Sequence, residues 1–537
     1  MYQAPEGLHA VKPLKGLLAK FTCNYKGNKG EKSPVEKKEN YAFVYIVLVI
    51  LSVIAFVMVI ESTAFCGAAM SPDSVCYIST AEHLLAGKGY IQFDGSHYAQ
   101  WPPLFPTILA VPGLFGIKPF AAARFINGIS FGLIVFLSGV LFARRIKSRL
   151  LVLLGATAVL LSFTMLQISV YVWSEPIFIV LAVLFVLNIS QFLENNRTKY
   201  LMLASAFAGL ACLQRYVGLT TIITGEILIL LFARNISWRA KLKYCVLFGV
   251  IAFAPVCLWA VRNIFVASGF GGYQAKFDTN IWDKITKPLV QITPWFVSYR
   301  VPFAARLTIL AITACLLVAA SVLRRYVCGK KYSGDVMLVK TSVIFTLVYS
   351  VFTITASIFT NAVANERLFS TTYLFVIFLM LIGIEAVGIL LNLVTRKDWA
   401  GYLVVVVLCG LWLAIYLLPI VKQRVFYYKE YGDGYSSVSW RRSPLINWLK
   451  SHPLQGQVFS NEPDGLFFLD GIEAKYSPRC SADIVKFKKL MASPQKNYLV
   501  WYLPNGRKYL YDPKELNAVF RLTLIKQFPD GLIFAME

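Results

Sequence analysis

Runs of roughly 18 to 23 predominantly apolar residues recur between positions 41 and 420, each long enough to cross a hydrocarbon core of about 30 Å as a helix. Backbone groups in lipid must be satisfied internally, so these runs are helices rather than open strands. Of the 537 residues, 57% are hydrophobic and 15% charged, where a soluble domain is about half apolar and about a quarter charged. The chain therefore reads as a polytopic α-helical membrane protein of about eleven spans, at 41–61, 124–143, 150–167, 175–193, 199–214, 217–233, 244–265, 305–323, 341–360, 371–392 and 400–420. The first run is too long for a cleaved signal and follows a polar arm of about 40 residues, so it is expected to stay as an anchor.

The formal charge of +25 does not imply a nucleic-acid partner. Lysines of the arm at 1–40, then Arg144, Arg145, Lys147 and Arg149, then Arg234, Arg239, Lys241 and Lys243, then Arg324, Arg325, Lys330, Lys331 and Lys340 alternate with loops poor in Lys and Arg. That alternation is the positive-inside pattern. It places the N-terminal arm in the cytoplasm and, with an odd number of spans, residues 421–537 outside. The expected location is the inner (cell) membrane. The ten cysteines show no C-x-x-C pair or zinc spacing. Cys66 and Cys76 are near enough to pair outside the membrane, although packing is the plainer role.

After residue 420 charge and turn residues rise. Strand-like runs at 456–460, 498–503, 520–528 and 531–536, with helical patterns at 443–450 and 513–519, predict a small α/β domain, and P-D-G before the last run predicts a hairpin. Three units follow: a basic arm at 1–40, a transmembrane domain at 41–420 with its first outer loop at 62–123, and an extracytoplasmic domain at 421–537.

Four outer segments carry the unusual residues: 62–123, 167–175, 267–304 and 361–370. Charge and irregular backbone at membrane depth are tolerated only in a cavity or within protein, so these segments are expected to converge over one cavity. Asp73 stands where a helix at 74–86 begins. It reads either as an N-cap or as a general base or metal ligand tuned by partial removal from water. Tyr98, Trp101, Pro102, Pro103 and Phe105 form a stiff aromatic turn, suited to interfacial anchoring or to stacking on a sugar. Glu175 in W-S-E-P reads equally as an ordinary helix start and as a functional carboxylate at the edge of hydrocarbon. Glu82 and His83 read as a solvated helix face.

Arg215, Arg262 and Arg367 lie at outer ends of spans, against the charge bias. They read as snorkelling groups or as a phosphate pocket, since a guanidinium matches phosphate oxygens with paired donors. Glu366 is placed either to pair with Arg367 or to line the same pocket. No nucleotide-binding loop appears and the cytoplasmic loops are short, so a glycosyl donor would have to arrive from within the membrane.

At D-S-V-C-Y-I-S-T-A-E-H-L-L-A-G-K-G-Y and W-P-P-L-F-P the chain resembles the GT-C superfamily of membrane glycosyltransferases, in the bacterial branch related to protein O-mannosyltransferases and aminoarabinose transferases. The likeness continues through W-S-E-P, Q-R-Y-V-G-L, W-A-V-R-N and N-E-R-L-F-S into S-N-E-P-D-G-L-F-F-L-D-G. It implies transfer of a sugar from a polyprenyl-phosphate carrier to a lipid, glycan or protein acceptor on the outer face. It also implies Asp73 as catalytic acid–base residue, Glu175 as assistant or ligand of a divalent cation (Mg or Mn), and Arg262 and Arg367, with Arg215 behind them, as holders of the lipid phosphate. Many members carry two adjacent acids in the first loop; here Ser74 follows Asp73, which weakens the expectation of a metal. A transporter or lipid flippase is the rival reading, but no internal repeat of the transporter kind is evident. A structural subunit of an envelope assembly is a third.

Overall fold

A computed structural model describes residues 42–267, 281–328, 336–360, 364–479, 481–491, 495–503, 507 and 510–537. The basic arm at 1–40, Lys330, Lys331 and parts of the segments at 267–304 and 361–370 lie outside these residues.

The described residues of the expected spans are almost all helical, with 150–167 split into two helices, but the expected count of about eleven membrane crossings is not confirmed. In chain order these elements are α1 (Ala42–Ser62), α2 (Pro72–Leu85) and α3 (Leu104–Ala110) in the first long loop, α4 (Pro119–Ala143), α5 (Arg149–Leu160), α6 (Phe163–Val170), α7 (Glu175–Asn195), α8 (Thr198–Gln214) and α9 (Leu219–Phe232). They continue as α10 (Trp238–Ala267), α11 (Ile281–Ile292), α12 (Phe303–Cys328), α13 (Val336–Thr360), α14 (Glu366–Thr395), α15 (Ala400–Trp412) and α16 (Leu418–Tyr431). Among the described residues, eight helices are long and apolar enough to cross a membrane, or nine with the pair α5 and α6, which bends by 47° at Leu161 and Ser162. The remaining two expected spans are the shorter α8 and α9. At 1.5 Å per residue the 17 residues of α8 rise about 26 Å, and Arg215 just beyond its end meets Glu175 at the start of α7. Antiparallel α7 and α8 thus reach the same depth.

The last apolar run ends near 420, but its helix does not. A π-turn at Leu413–Leu417 joins α15 to α16, which carries the chain to Tyr431. The bundle core is apolar around α4, α5, α7 and α14, with Phe131, Phe178, Phe185 and Phe375 fully buried. By contrast α1 and α12 leave rows of large apolar side chains exposed, among them Phe43, Val53, Leu316 and Val322, as lipid-facing helices do.

The C-terminal domain holds α17 (Pro444–Ser451), α18 (Pro463–Asp470) and a five-stranded sheet: β1 (Gln457–Ser460), β2 (Ala474–Tyr476), β3 (Asn497–Tyr502), β4 (Leu522–Phe528) and β5 (Gly531–Met536), in the order β2-β1-β3-β5-β4. Strand β1 runs parallel to β2 and β3, while β5 is antiparallel to β3 and β4. The expected hairpin is β4–β5. Strand β2 and helix α18 were not anticipated.

Three distant stretches meet in a short ribbon at one end of the bundle. Ala69 pairs with Tyr171, and Met70 pairs with Gly434. The residues leading into α2 therefore lie between the turn before α7 and the entry to the C-terminal domain.

Candidate active site

Asp73, Glu175, Arg215 and Arg367 each sit at a helix terminus at this end of the bundle. Ser71 caps α2 in an extended conformation, its hydroxyl accepting from the Ser74 N–H, with Pro72 as first helical residue. Asp73 is thus the second residue of the helix and not its cap, a correction to the expected start at 74. Pro176 follows Glu175, the first residue of α7, and Asn365 caps α14 by accepting from the Leu368 N–H, leaving Arg367 in its first turn. Helix N-termini carry partial positive charge. That favours both carboxylates and opposes the guanidinium, so Arg367 needs anionic company.

It has it. Arg367 Nη1 lies 2.9 Å from Asp73 Oδ2, and its Nε donates to Glu175 Oε1. Arg215 Nη1 lies 2.7 Å from the same Glu175 oxygen and donates to Ser174 Oγ at 2.9 Å. The Arg367 guanidinium rests 3.7 Å above the Trp173 ring, whose Nε1 donates to Ser71 Oγ at 2.7 Å. Two acids and two bases make the cluster neutral. Glu175 is buried at 2% exposure, and among the described residues its Oε2 has no hydrogen-bond partner. The Asp73 side chain keeps 29% of its exposure. The buried carboxylate orders the arginines, and the open one faces solvent. Tyr77, one turn along α2, is buried; that burial and the Asp73 charge push its phenol up.

The other expected site residues are placed differently. Arg262 does not join the cluster. Its Nη1 donates to the Tyr98 carbonyl at 2.8 Å and its Nη2 to the Tyr90 carbonyl at 3.4 Å, while its guanidinium stacks on Trp259 at 4.7 Å. Asn263 and Tyr216 both donate to the Ala99 carbonyl, so these side chains tie down the first loop. Tyr98 is fully buried, its hydroxyl donating to the Pro102 carbonyl and its ring stacked 5.9 Å from Trp101. A ring covered in this way cannot serve as a sugar-stacking wall; Trp101, half-buried, keeps an accessible surface. Among the described residues Glu366 makes no ion pair with Arg367; its backbone N–H donates to Gln291 Oε1. Cys66 and Cys76 are buried and free.

Asp73 and Glu175 would be the ligands of a divalent cation, yet both are engaged by Arg367, and no group of three or more His, Cys, Asp or Glu is gathered among the described residues. A hard cation prefers six or more oxygens and would have to displace a guanidinium here. The donor set does not fit such an ion.

Sequence reading did not single out Trp173, although it stands in W-S-E-P. It also passed over a second buried cluster in the C-terminal domain. There Arg507 forks onto Glu462, with Nε–Oε1 at 3.1 Å and Nη2–Oε2 at 2.7 Å, and reaches Asp464 at 3.0 Å.

Residues 101–259 match the family model of dolichyl-phosphate-mannose-protein mannosyltransferase. Among solved structures, ArnT from Cupriavidus metallidurans in the apo state superposes with a TM-score of 0.58 at 12% identity, covering 92% of this chain and 98% of that one. The same protein bound to undecaprenyl phosphate gives 0.57 at 11%. The oligosaccharyltransferase of Archaeoglobus fulgidus gives 0.51 at 12%, over 93% of this chain and 75% of that one. Among curated proteins, the Na(+)/H(+) antiporter NhaA of Vibrio cholerae is 28% identical over 172 residues, and the chain spans 42% of that relative's length. The solved structures establish a GT-C-like fold for nearly the whole chain.

Proposed function

We propose that the protein is a membrane glycosyltransferase that moves a sugar from a polyprenyl-phosphate-linked donor to an acceptor hydroxyl on the outer face of the cell membrane. The observation that carries this reading is the gathering of Asp73, Glu175, Arg215 and Arg367 from four separate helix ends. Their fold is that of a protein solved with undecaprenyl phosphate bound.

The chemistry asks for two things at that place. A base must accept the proton of the attacking hydroxyl, and Asp73 is the accessible carboxylate. Positive charge must meet the polyprenyl phosphate as it leaves, and fixed guanidiniums supply it without reorganisation. Arg367 and Arg215 are held in place by Glu175, whose single oxygen Oε1 meets both. When the donor phosphate reaches Arg367 it competes with Asp73 for Nη1. The carboxylate is then released to act as base only once the donor is bound. The acceptor oxygen attacks the anomeric carbon, its proton passes to Asp73, and the C–O bond to phosphate breaks with the electron pair leaving on the phosphate oxygen. Trp101, half-buried in the first loop, is the aromatic surface that would take the sugar.

The partial likeness to an antiporter favours transport as a second reading. Antiport needs ionisable groups at mid-depth of the bundle, whereas these four residues stand at helix ends. Purified protein in liposomes with a polyprenyl-phosphate sugar decides between them. The enzyme transfers sugar to a hydroxyl acceptor and moves no Na⁺ or H⁺; the converse result overturns the proposal.

A further inference from the structure

The segment that delivers Asp73 is gripped from the C-terminal domain. We propose that Arg507, acting through Glu462, Asp464 and Tyr435, is a positioning residue for the reaction: it fixes the backbone at 66–71 and with it the placement of Asp73. This inference rests on the transferase reading above, deepening it by assigning the C-terminal domain a part in the active site.

The grip is a series of direct contacts. Arg441 Nη2 donates to the Cys66 carbonyl at 2.7 Å, Ser436 Oγ to the Ala68 carbonyl at 2.6 Å, and the Tyr435 N–H to the Met70 carbonyl at 2.9 Å. On the opposite side the Ala69 N–H donates to the Val170 carbonyl and the Val172 N–H to the Ala69 carbonyl, both at 3.0 Å. Asp73 follows Met70 by three residues, and Glu175 follows Val172 by three. The two carboxylates that Arg367 bridges are thus carried by adjacent strands of one small ribbon. Gly434 has φ +57°, and a Cβ there would stand 1.9 Å from the Met70 oxygen. Only glycine lets the two backbones come so close.

Tyr435 is the hinge of the arrangement. Its ring is buried, its hydroxyl donates to Glu462 Oε2 at 2.5 Å and accepts from Arg507 Nη2 at 2.9 Å. Asp464 also accepts from the Tyr476 hydroxyl, at 2.7 and 2.8 Å. Helix α18, which starts between Glu462 and Asp464, lies against α2. Its Phe467 meets Phe93 and its Phe468 meets Phe120, at 5.3 and 5.4 Å between ring centres. The Cys76 thiol, one turn beyond Asp73, is pushed up by burial and then by the charges of Asp464 and Asp73, so it lies within electrostatic reach of both clusters.

Two buried carboxylates sharing one guanidinium are an expensive way to hold a domain together. Well-packed apolar side chains commonly do as well or better. What a forked ion pair supplies is direction, because the guanidinium is planar and its donors are fixed. Here that direction ends on the hydroxyl of the residue whose N–H holds Met70.

The test uses the full-length protein with Tyr435→Phe, which keeps the ring and removes the hydroxyl, and with Arg507→Lys and Arg507→Met. Turnover and donor KM with a polyprenyl-phosphate sugar are measured, together with hydrogen exchange over residues 66–75. Expected is a fall in kcat of about ten- to a hundredfold, the range that a misplacement near 1 Å produces, with donor KM within about twofold, partial rescue in Arg507→Lys relative to Arg507→Met, and faster exchange confined to 66–75. Unchanged exchange there, or kcat loss that only follows loss of folded protein, overturns the positioning role. Should wild-type protein transfer no sugar, the transferase reading fails instead, and the exchange measurement still decides whether Arg507 holds the segment.

Discussion

Arg367 stands between Asp73 and Glu175, with Nη1 2.9 Å from the first and Nε against the second. One side chain thus joins the first loop, the turn before α7 and the start of α14, and its planar fork is what makes the bridge possible. A lysine keeps the charge but is a single flexible point. Arg367→Lys is therefore expected to fold and insert normally, to bind the polyprenyl-phosphate donor about tenfold more weakly, and to turn over more slowly. Arg367→Ala removes one of the two cations on buried Glu175. Breaking such a buried pair costs about 3–5 kcal/mol, so the alanine variant should also melt lower. Donor titration and thermal unfolding in detergent check the two parts separately.

Asp73→Asn is nearly isosteric and still accepts a hydrogen bond from Arg367, so the helix and the loop should be undisturbed. Without a base, transfer is expected to drop by at least about a hundredfold, with donor affinity unchanged or higher, because the phosphate no longer competes with a carboxylate for Arg367. Single-turnover transfer assays alongside donor binding distinguish this from a folding defect.

The helices were legible because their signal is local. Apolar runs declare themselves whatever the tertiary structure: the expected runs are helical, although only eight or nine of them are long and apolar enough to cross a membrane among the described residues, and four of the five strands are at the expected places. Strand β2 has three residues, Ala-Lys-Tyr, too few for any alternation to register. Site residues were legible only as chemistry out of place. Asp73, Glu175, Arg215 and Arg367 drew notice as charges beside apolar runs, and they do meet. Arg262 gave the same signal, yet its donors go to the Tyr98 and Tyr90 carbonyls. A sequence shows that an arginine is unusual, not which carbonyls lie 164 or 172 residues away. Tyr98 misled for a related reason: an aromatic beside prolines looks interfacial until neighbouring rings cover it. Of the Arg507 cluster, Glu462 and Asp464 stood in the S-N-E-P-D-G stretch of the family likeness, yet nothing in the sequence joined them to Arg507 or showed that folding buries the three together.

Arg262→Ala should act on the loop rather than on the chemistry. Losing the two carbonyl contacts and the stacking on Trp259 frees the stretch from Tyr90 to Ala99. Limited proteolysis within that stretch is expected to become several times faster. Donor KM should rise more than kcat falls. Equal loss of both, with unchanged proteolysis, would instead place Arg262 directly on the substrate.

The donor set around Arg367 predicts indifference to chelators. With Asp73 and Glu175 both engaged by guanidiniums, EDTA treatment followed by desalting should leave transfer within about twofold of the untreated protein. A fall restored by Mg²⁺ or Mn²⁺ would show that Arg367 gives way to a cation during turnover.

The C-terminal domain should carry a pH signature of its own. Burial raises the Glu462 carboxyl above the ordinary glutamate value, against the lowering influence of Arg507 and the Tyr435 hydroxyl. A group whose folded pKa is raised stabilises the fold in its protonated form. That contribution is complete below the unfolded value, about 4.3, and is lost as pH climbs through the raised one. Stability of the wild-type domain is therefore expected to decline as pH rises from about 4.3 through the raised value, and to level off above it. Glu462→Gln cannot ionise, so its melting temperature should be flatter over the same window while it keeps one hydrogen bond within the cluster. Thermal unfolding of both proteins across that range, followed by hydrogen exchange of strands β1, β3 and β5, reads the domain directly. Parallel curves for the two proteins would assign the pH dependence to another group.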